Sequence, residues 1–101
     1  MLTSKQRAFL RSIATGCDTI IMVGKGGMND QIIKQSEDAI KKREIIKGRV
    51  LESAGITPNE AAQQIADQIK AEVVQVIGSK FVLYKRNEKE PKIELPKAKK
   101  K

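Results

Sequence analysis

A β-type apolar run, Thr19-Ile20-Ile21-Met22-Val23, ends directly on Gly24-Lys25-Gly26-Gly27, and a helical pattern follows from Asn29. A strand handed to a helix across so short a bend commits the chain to a β-α unit. Three glycines in four positions also leave that bend almost free of side chains. A phosphate backbone can approach such a turn closely, and a helix start beyond it offers unpaired N–H groups and partial positive charge. Lys25 adds a full charge inside the bend. Nucleic acid is therefore the first partner to weigh against the rest of the chain.

The charge balance agrees. The 101 residues carry 20 Lys and Arg against 12 Asp and Glu, a net +8. Residues 1–86 hold 14 basic and 9 acidic side chains, and residues 87–101 hold 6 lysines and 3 glutamates. Within the first of these, residues 50–79 contain Lys70 alone against Glu52, Glu60, Asp67 and Glu72. One basic and one mildly acidic side would orient the molecule on a polyanion. There is no histidine, and Cys17 is the single cysteine, so no zinc ligand set and no internal disulfide are expected, and no cofactor is implied. Residues near Met1 do not read as a signal peptide, and no apolar stretch nears the roughly 20 residues of a membrane helix. A soluble, cytoplasmic, monomeric protein is the expectation.

Helix and strand signals alternate along the chain. Thr3-Ser4-Lys5-Gln6 has capping-box spacing, with Phe9, Leu10 and Ile13 behind it, and predicts a helix over 4–14 ending at Gly16. The run 19–23, nearly all apolar, predicts a strand covered on both faces or at a sheet centre. A second helix starts at Asn29, turns Ile32, Ile33, Ser36, Ala39 and Ile40 inward, and closes on Lys41-Lys42-Arg43. A strand over 44–51 follows, placing Ile46, Gly48 and Val50 on one face and Ile45, Lys47, Arg49 and Leu51 on the other. Thr57-Pro58-Asn59-Glu60 opens a third helix with inward Ala61, Ala62, Ile65, Ala66 and Ile69. Strands over 73–77 and 81–85 flank Gly78-Ser79, a two-residue connection suited to a type II′ turn. The order α-β-α-β-α-β-β predicts an α/β (α+β) fold: a four-stranded mixed sheet carrying helices two and three, with helix one at its side. A domain over 1–86 and a basic, mobile tail over 87–101 complete the reading.

These residues also resemble a family. Lys5-Gln6-Arg7 with Leu10, the strand ending Val23-Gly24-Lys25-Gly26-Gly27, the run Lys41-Lys42-Arg43-Glu44-Ile45-Ile46-Lys47, and the stretch 73–86 look like the CRM domain. This RNA-binding fold is named after chloroplast RNA splicing and ribosome maturation, and the single-domain bacterial YhbY family is the nearest likeness. The similarity covers about residues 2–86, and Lys92-Ile93-Glu94-Leu95-Pro96 in the tail also fits. The resemblance implies a fold like the C-terminal domain of translation initiation factor three. It also implies a GxxG loop that meets RNA, and association with precursors of the large ribosomal subunit. By position the loop is Gly24, Lys25, Gly26 and Gly27. Many members carry a polar or basic residue where this chain has Gly26, which exchanges a side-chain contact for closer backbone approach.

Each candidate has a plainer reading beside it. The glycines of the loop could simply serve a turn that needs positive φ. Lys41 and Lys42 suit a helix C-terminus, whereas Arg43, Lys47 and Arg49 are better candidates for an RNA surface. Lys80, Lys85 and Arg86 either extend that surface or discourage edge-to-edge strand pairing. Tyr84 could stack on a base, but a half-buried core tyrosine with its hydroxyl at the rim is preferred. Phe9, Phe81 and Tyr84 are too few for a stacking platform. Lys5, Arg7 and Arg11 are assigned to the solvent face of helix one, and Cys17 to a loop.

Three functions compete. A non-enzymatic RNA-binding protein that assists large-subunit assembly leads. A phosphate-using enzyme lacks the GxxxxGK[ST] spacing, a histidine base and paired carboxylates beside the loop. A protein-interaction module would use the acidic side of the third helix.

Overall fold

The computed structural model describes residues 3–86, so the tail expected over 87–101 lies outside the described residues. Helix α1 (Ser4–Thr15) begins on its capping box: the Thr3 hydroxyl accepts from the Gln6 N–H at 3.0 Å, and Gln6 Oε1 accepts from the Thr3 N–H at 3.1 Å. The same reciprocal pair, Thr57 with Glu60, opens α3 (Pro58–Ile69), where Pro58 occupies the first turn at no hydrogen-bonding cost. Asn29 caps α2 (Asp30–Arg43) by accepting from the Ile32 N–H at 2.9 Å.

Four strands, β1 (Thr19–Val23), β2 (Ile45–Val50), β3 (Glu72–Ile77) and β4 (Lys80–Tyr84), form one mixed sheet in the order β1-β2-β4-β3. β1 and β2 are parallel across α2, while β4 runs antiparallel to both β2 and β3. The last strand thus inserts between β2 and β3, splitting the second crossover. Gly78 alone in the connecting turn has positive φ, as a type II′ hairpin needs.

Several expectations change. β1 is an edge strand, not central, and its Met22 is 51% exposed. α1 lies on a face of the sheet rather than at its side: Leu10 and Ala14 pack with Ile45, Val74, Val82 and Tyr84. α2 and α3 cover the other face through Ile40, Ala61, Ile65 and Ile69 against Ile21, Ile46, Phe81 and Leu83. Glu44 is not strand; it is the fully buried C-cap of α2 at φ 66°, a backbone that L-residues rarely adopt. Phe9, counted with the core stripe, is 36% exposed, because Leu10 and Ala14 set the buried side of α1. The strands over 73–77 and 81–85 each begin one residue earlier than expected, and a short 3-10 turn, Glu52–Ala54, follows β2. Among the described residues no helix is long and apolar enough to cross a membrane.

Of the glycines described, Gly48 has the least room for a side chain, lying beneath Phe81. The two are register partners, and a Cβ on Gly48 would stand 2.2 Å from Phe81 Cζ. The ring occupies the space that any side chain at 48 would need. Gly48→Ala should therefore overpack the centre of the sheet and lower unfolding free energy by about 1–3 kcal/mol. Urea unfolding followed by circular dichroism checks this; an unchanged midpoint would show that the ring moves aside without cost.

Candidate nucleic-acid interface

The glycine bend is a defined turn. The Gly27 N–H donates to the Gly24 carbonyl at 2.9 Å and Gly26 has φ 97°, the combination that marks a type II turn with glycine at its third position. Gly27 also has positive φ (66°), and a Cβ there would lie 3.0 Å from the Ala54 carbonyl oxygen. The conformational reading of the glycines is thus correct for Gly26 and Gly27. It does not account for the tip, where Lys25 and Gly26 are exposed and a Cβ on Gly26 would meet nothing within 4 Å. The helix beyond offers an anion less than the sequence promised. Asn29 already takes the Ile32 N–H, and Asp30 puts a carboxylate in the first turn of α2.

The turn sits at the end of the sheet where β1 and β2 finish. The Leu51 N–H donates to the Val23 carbonyl at 2.8 Å and the Val50 N–H to the Ser79 carbonyl at 2.7 Å, drawing the turn, the end of β2 and the β3-β4 hairpin together. Arg49 and Lys80 are register partners at this end, both exposed. No carboxylate among the described residues pairs with Lys25, Arg49 or Lys80.

The other sequence candidates separate from this group. Arg43 ends α2, while Lys85 and Arg86 follow β4; the Lys85 N–H donates to the Glu44 carbonyl at 2.8 Å, fixing them to the opposite end of the sheet. The length of β2, about 17 Å for its six residues, lies between the two basic ends. Lys47 belongs to neither: it is half-buried, and its Nζ donates to the Ala14 carbonyl at 3.2 Å, where a cation suits the C-terminus of α1. Arg7, assigned to the solvent face of the first helix, is likewise half-buried and donates from Nη1 to the Val73 carbonyl at 2.6 Å. Both tie α1 to the sheet. Tyr84 is 3% exposed, with its hydroxyl buried and unbonded, so it is neither a rim residue nor a stacking surface.

Sequence reasoning missed Met22 and Ile77, which are 51% and 63% exposed on the sheet face that carries α1. A geometric signal was available. α1 is one helix of twelve residues, and a helix is only about 10–12 Å across, too narrow to roof four strands along their whole length. The groove between α2 and α3, on the other side, is lined by Asp30, Glu37, Asp38 and Asp67 against Lys34 and Lys41. Charge is therefore divided by face. Among the described residues no group of three or more His, Cys, Asp or Glu side chains could hold a metal ion.

A small α+β module with a side-chain-poor, lysine-bearing turn beside unpaired cations is the class that the geometry defines. The chain belongs to the CRS1/YhbY (CRM) domain family, whose model matches residues 2–85. It is 44% identical over 96 residues to the "Probable RNA-binding protein YqeI" of Bacillus subtilis, covering 95% of this chain and all of that one. An "RNA-binding protein" of Haemophilus influenzae is 34% identical over 95 residues, covering 94% of this chain and 95% of that one. The solution structure of the Staphylococcus aureus protein SAV1595 superposes with a TM-score of 0.76 at 40% identity, covering 95% of this chain and all of that one. The mixed α+β fold expected from the sequence is thereby shown.

Two measurements check the structural assignments. Lys47→Met keeps the apolar stem but loses the hydrogen bond to Ala14, and should cost about 1 kcal/mol of stability. RNA affinity should stay nearly unchanged, since the ammonium is already engaged. For Tyr84, burial pushes the phenol above its ordinary 10.0, the Glu44 carboxylate adds to the rise, and Arg86 partly offsets it. The folded state thus holds this proton more tightly than the unfolded chain does. Its contribution is fully present below about pH 10 and is lost as pH rises through the folded value. Tyr84→Phe should flatten that alkaline loss in unfolding curves and cost little stability at neutral pH.

Proposed function

We propose that this chain is a non-enzymatic RNA-binding protein that associates with large-subunit ribosomal RNA in pre-ribosomal particles and assists their assembly in the cytoplasm. The observation that carries the proposal is the Gly24-Lys25-Gly26-Gly27 turn, exposed at its Lys25-Gly26 tip, beside Arg49 and Lys80, cations with no carboxylate partner among the described residues. The names of its relatives support the RNA part of the reading. The turn sets register on one backbone segment: a phosphate meets main chain and the Lys25 ammonium without intervening side chains. Arg49 and Lys80 hold neighbouring phosphates. Arg43, Lys85 and Arg86 at the far end add a second basic patch for a longer folded RNA, and the tail lysines add non-specific attraction. As ribosomal proteins occupy the same phosphates, the protein is displaced.

Binding to ribosomal RNA fragments tests this. Engagement of about five phosphates gives a slope near −4 for log affinity against log salt. Lys25→Glu reverses the charge at an exposed position without touching the strained Gly27, and should lose most of the affinity while leaving the thermal midpoint unchanged. In cells, crosslinking should place the wild type on large-subunit precursor RNA and the variant at few of those sites. A flat salt response, or equal binding by Lys25→Glu, would remove the turn from the function.

A further inference from the structure

The face of the sheet that carries α1 is laid out in rows. Tyr84, Ile45 and Glu72 are aligned in one, and Val82 with Lys47 and Gln75 in the next; α1 packs over both through Leu10 and Ala14. The row nearest the glycine turn is left open. Met22 pairs with Arg49, Arg49 with Lys80, and Lys80 with Ile77, so the four side chains stand on one face across all four strands. All four are exposed, the two apolar ones at 51% and 63%. Four strands at their usual spacing make this row about 14 Å wide. Met22 lies two residues before Gly24, which makes the row and the turn one continuous surface.

We infer that this row, Met22-Arg49-Lys80-Ile77, is a seat for an unpaired RNA segment: Arg49 and Lys80 hold its phosphates while Met22 and Ile77 pack against exposed base or ribose faces. The inference rests on the RNA reading above and adds to it the state of the RNA and two contact residues. Two central cations with no carboxylate partner among the described residues complement a polyanion. The flanking apolar groups narrow the choice further. A duplex stacks its bases away and offers side chains little beyond phosphates, hydroxyls and groove edges, whereas an unpaired segment can splay its bases onto a flat surface. Apolar contact to a base needs no aromatic ring, and burying half-exposed Met and Ile side chains is favourable in proportion to area. The row lacks the stacking rings of dedicated single-strand platforms, so its affinity relies on the turn beside it.

Fluorescence anisotropy with a short single-stranded RNA and with a duplex of the same length separates the possibilities. The paired variant Met22→Gln with Ile77→Thr keeps side-chain size and strand compatibility at exposed positions, and each single change serves as a second check on folding. The pair should bind the single strand about tenfold more weakly, with an unchanged salt slope and unchanged duplex binding. Arg49→Gln with Lys80→Gln should lower the magnitude of the single-strand salt slope by about 1.4. Single-strand binding that survives Met22→Gln/Ile77→Thr overturns the inference and leaves the row to a protein contact. If Lys25→Glu still weakens binding in that case, the turn-based function stands without it; if no variant weakens binding, both fall.

Discussion

The Phe81 ring lying in the space that Gly48 leaves empty fixes the register of β2 against β4, and everything at the candidate interface follows from that register. One residue further along, the same pairing places Arg49 opposite Lys80. On the other side of β4, Phe81 pairs with Val76 and Lys80 with Ile77. A slip of β4 by one residue would turn Lys80 into the core that α2 and α3 cover, away from Arg49, and carry Phe81 to the opposite face. Because the contact excludes any side chain at 48, the alternative pairing is disfavoured by sterics as well as by burial.

The second constraint is the mismatch between a four-stranded sheet and the short helix that roofs one of its faces. α1 is held where it is by long-range ties from charged side chains, Arg7 to the Val73 carbonyl and Lys47 to the Ala14 carbonyl, as well as by Leu10 and Ala14. That position seals two rows of the sheet and stops short of the third. The open row therefore falls beside the glycine turn, with the acidic groove between α2 and α3 on the far side of the sheet. An approaching polyanion meets attraction at one end and face and mild repulsion at the other, which favours one orientation over coating.

Much of the fold was legible because its signals are local. Capping boxes at Thr3 and Thr57 and the cap at Asn29 are short-range hydrogen-bond patterns, and they marked the three helix starts correctly. The inward faces of α2 and α3 were read from periodicity alone. What was not legible depended on contacts distant in sequence. A run of five apolar residues reads as a buried strand, yet β1 lies at the edge because β4 inserts between β2 and β3. Lys47 and Arg7 looked like surface charge because the backbone carbonyls they reach lie 33 and 66 residues away and come beside them only through the tertiary fold. The site candidates divided for the same reason. The turn, Arg49 and Lys80 converge through hydrogen bonds at the end of β2, while Arg43, Lys85 and Arg86 cluster at its start, a separation that a linear charge map does not carry.

The most direct measurement of the central claim is a titration of isotope-labelled protein with RNA, following backbone amide and methyl signals residue by residue. Contact at the turn end of the sheet predicts that Lys25, Gly26, Arg49 and Lys80, with the methyl groups of Met22 and Ile77, shift first and furthest, while the groove around Glu37 and Asp67 stays silent. Shifts confined to that groove or to the Arg43, Lys85 and Arg86 end, with Lys25 and Gly26 unmoved, would contradict it.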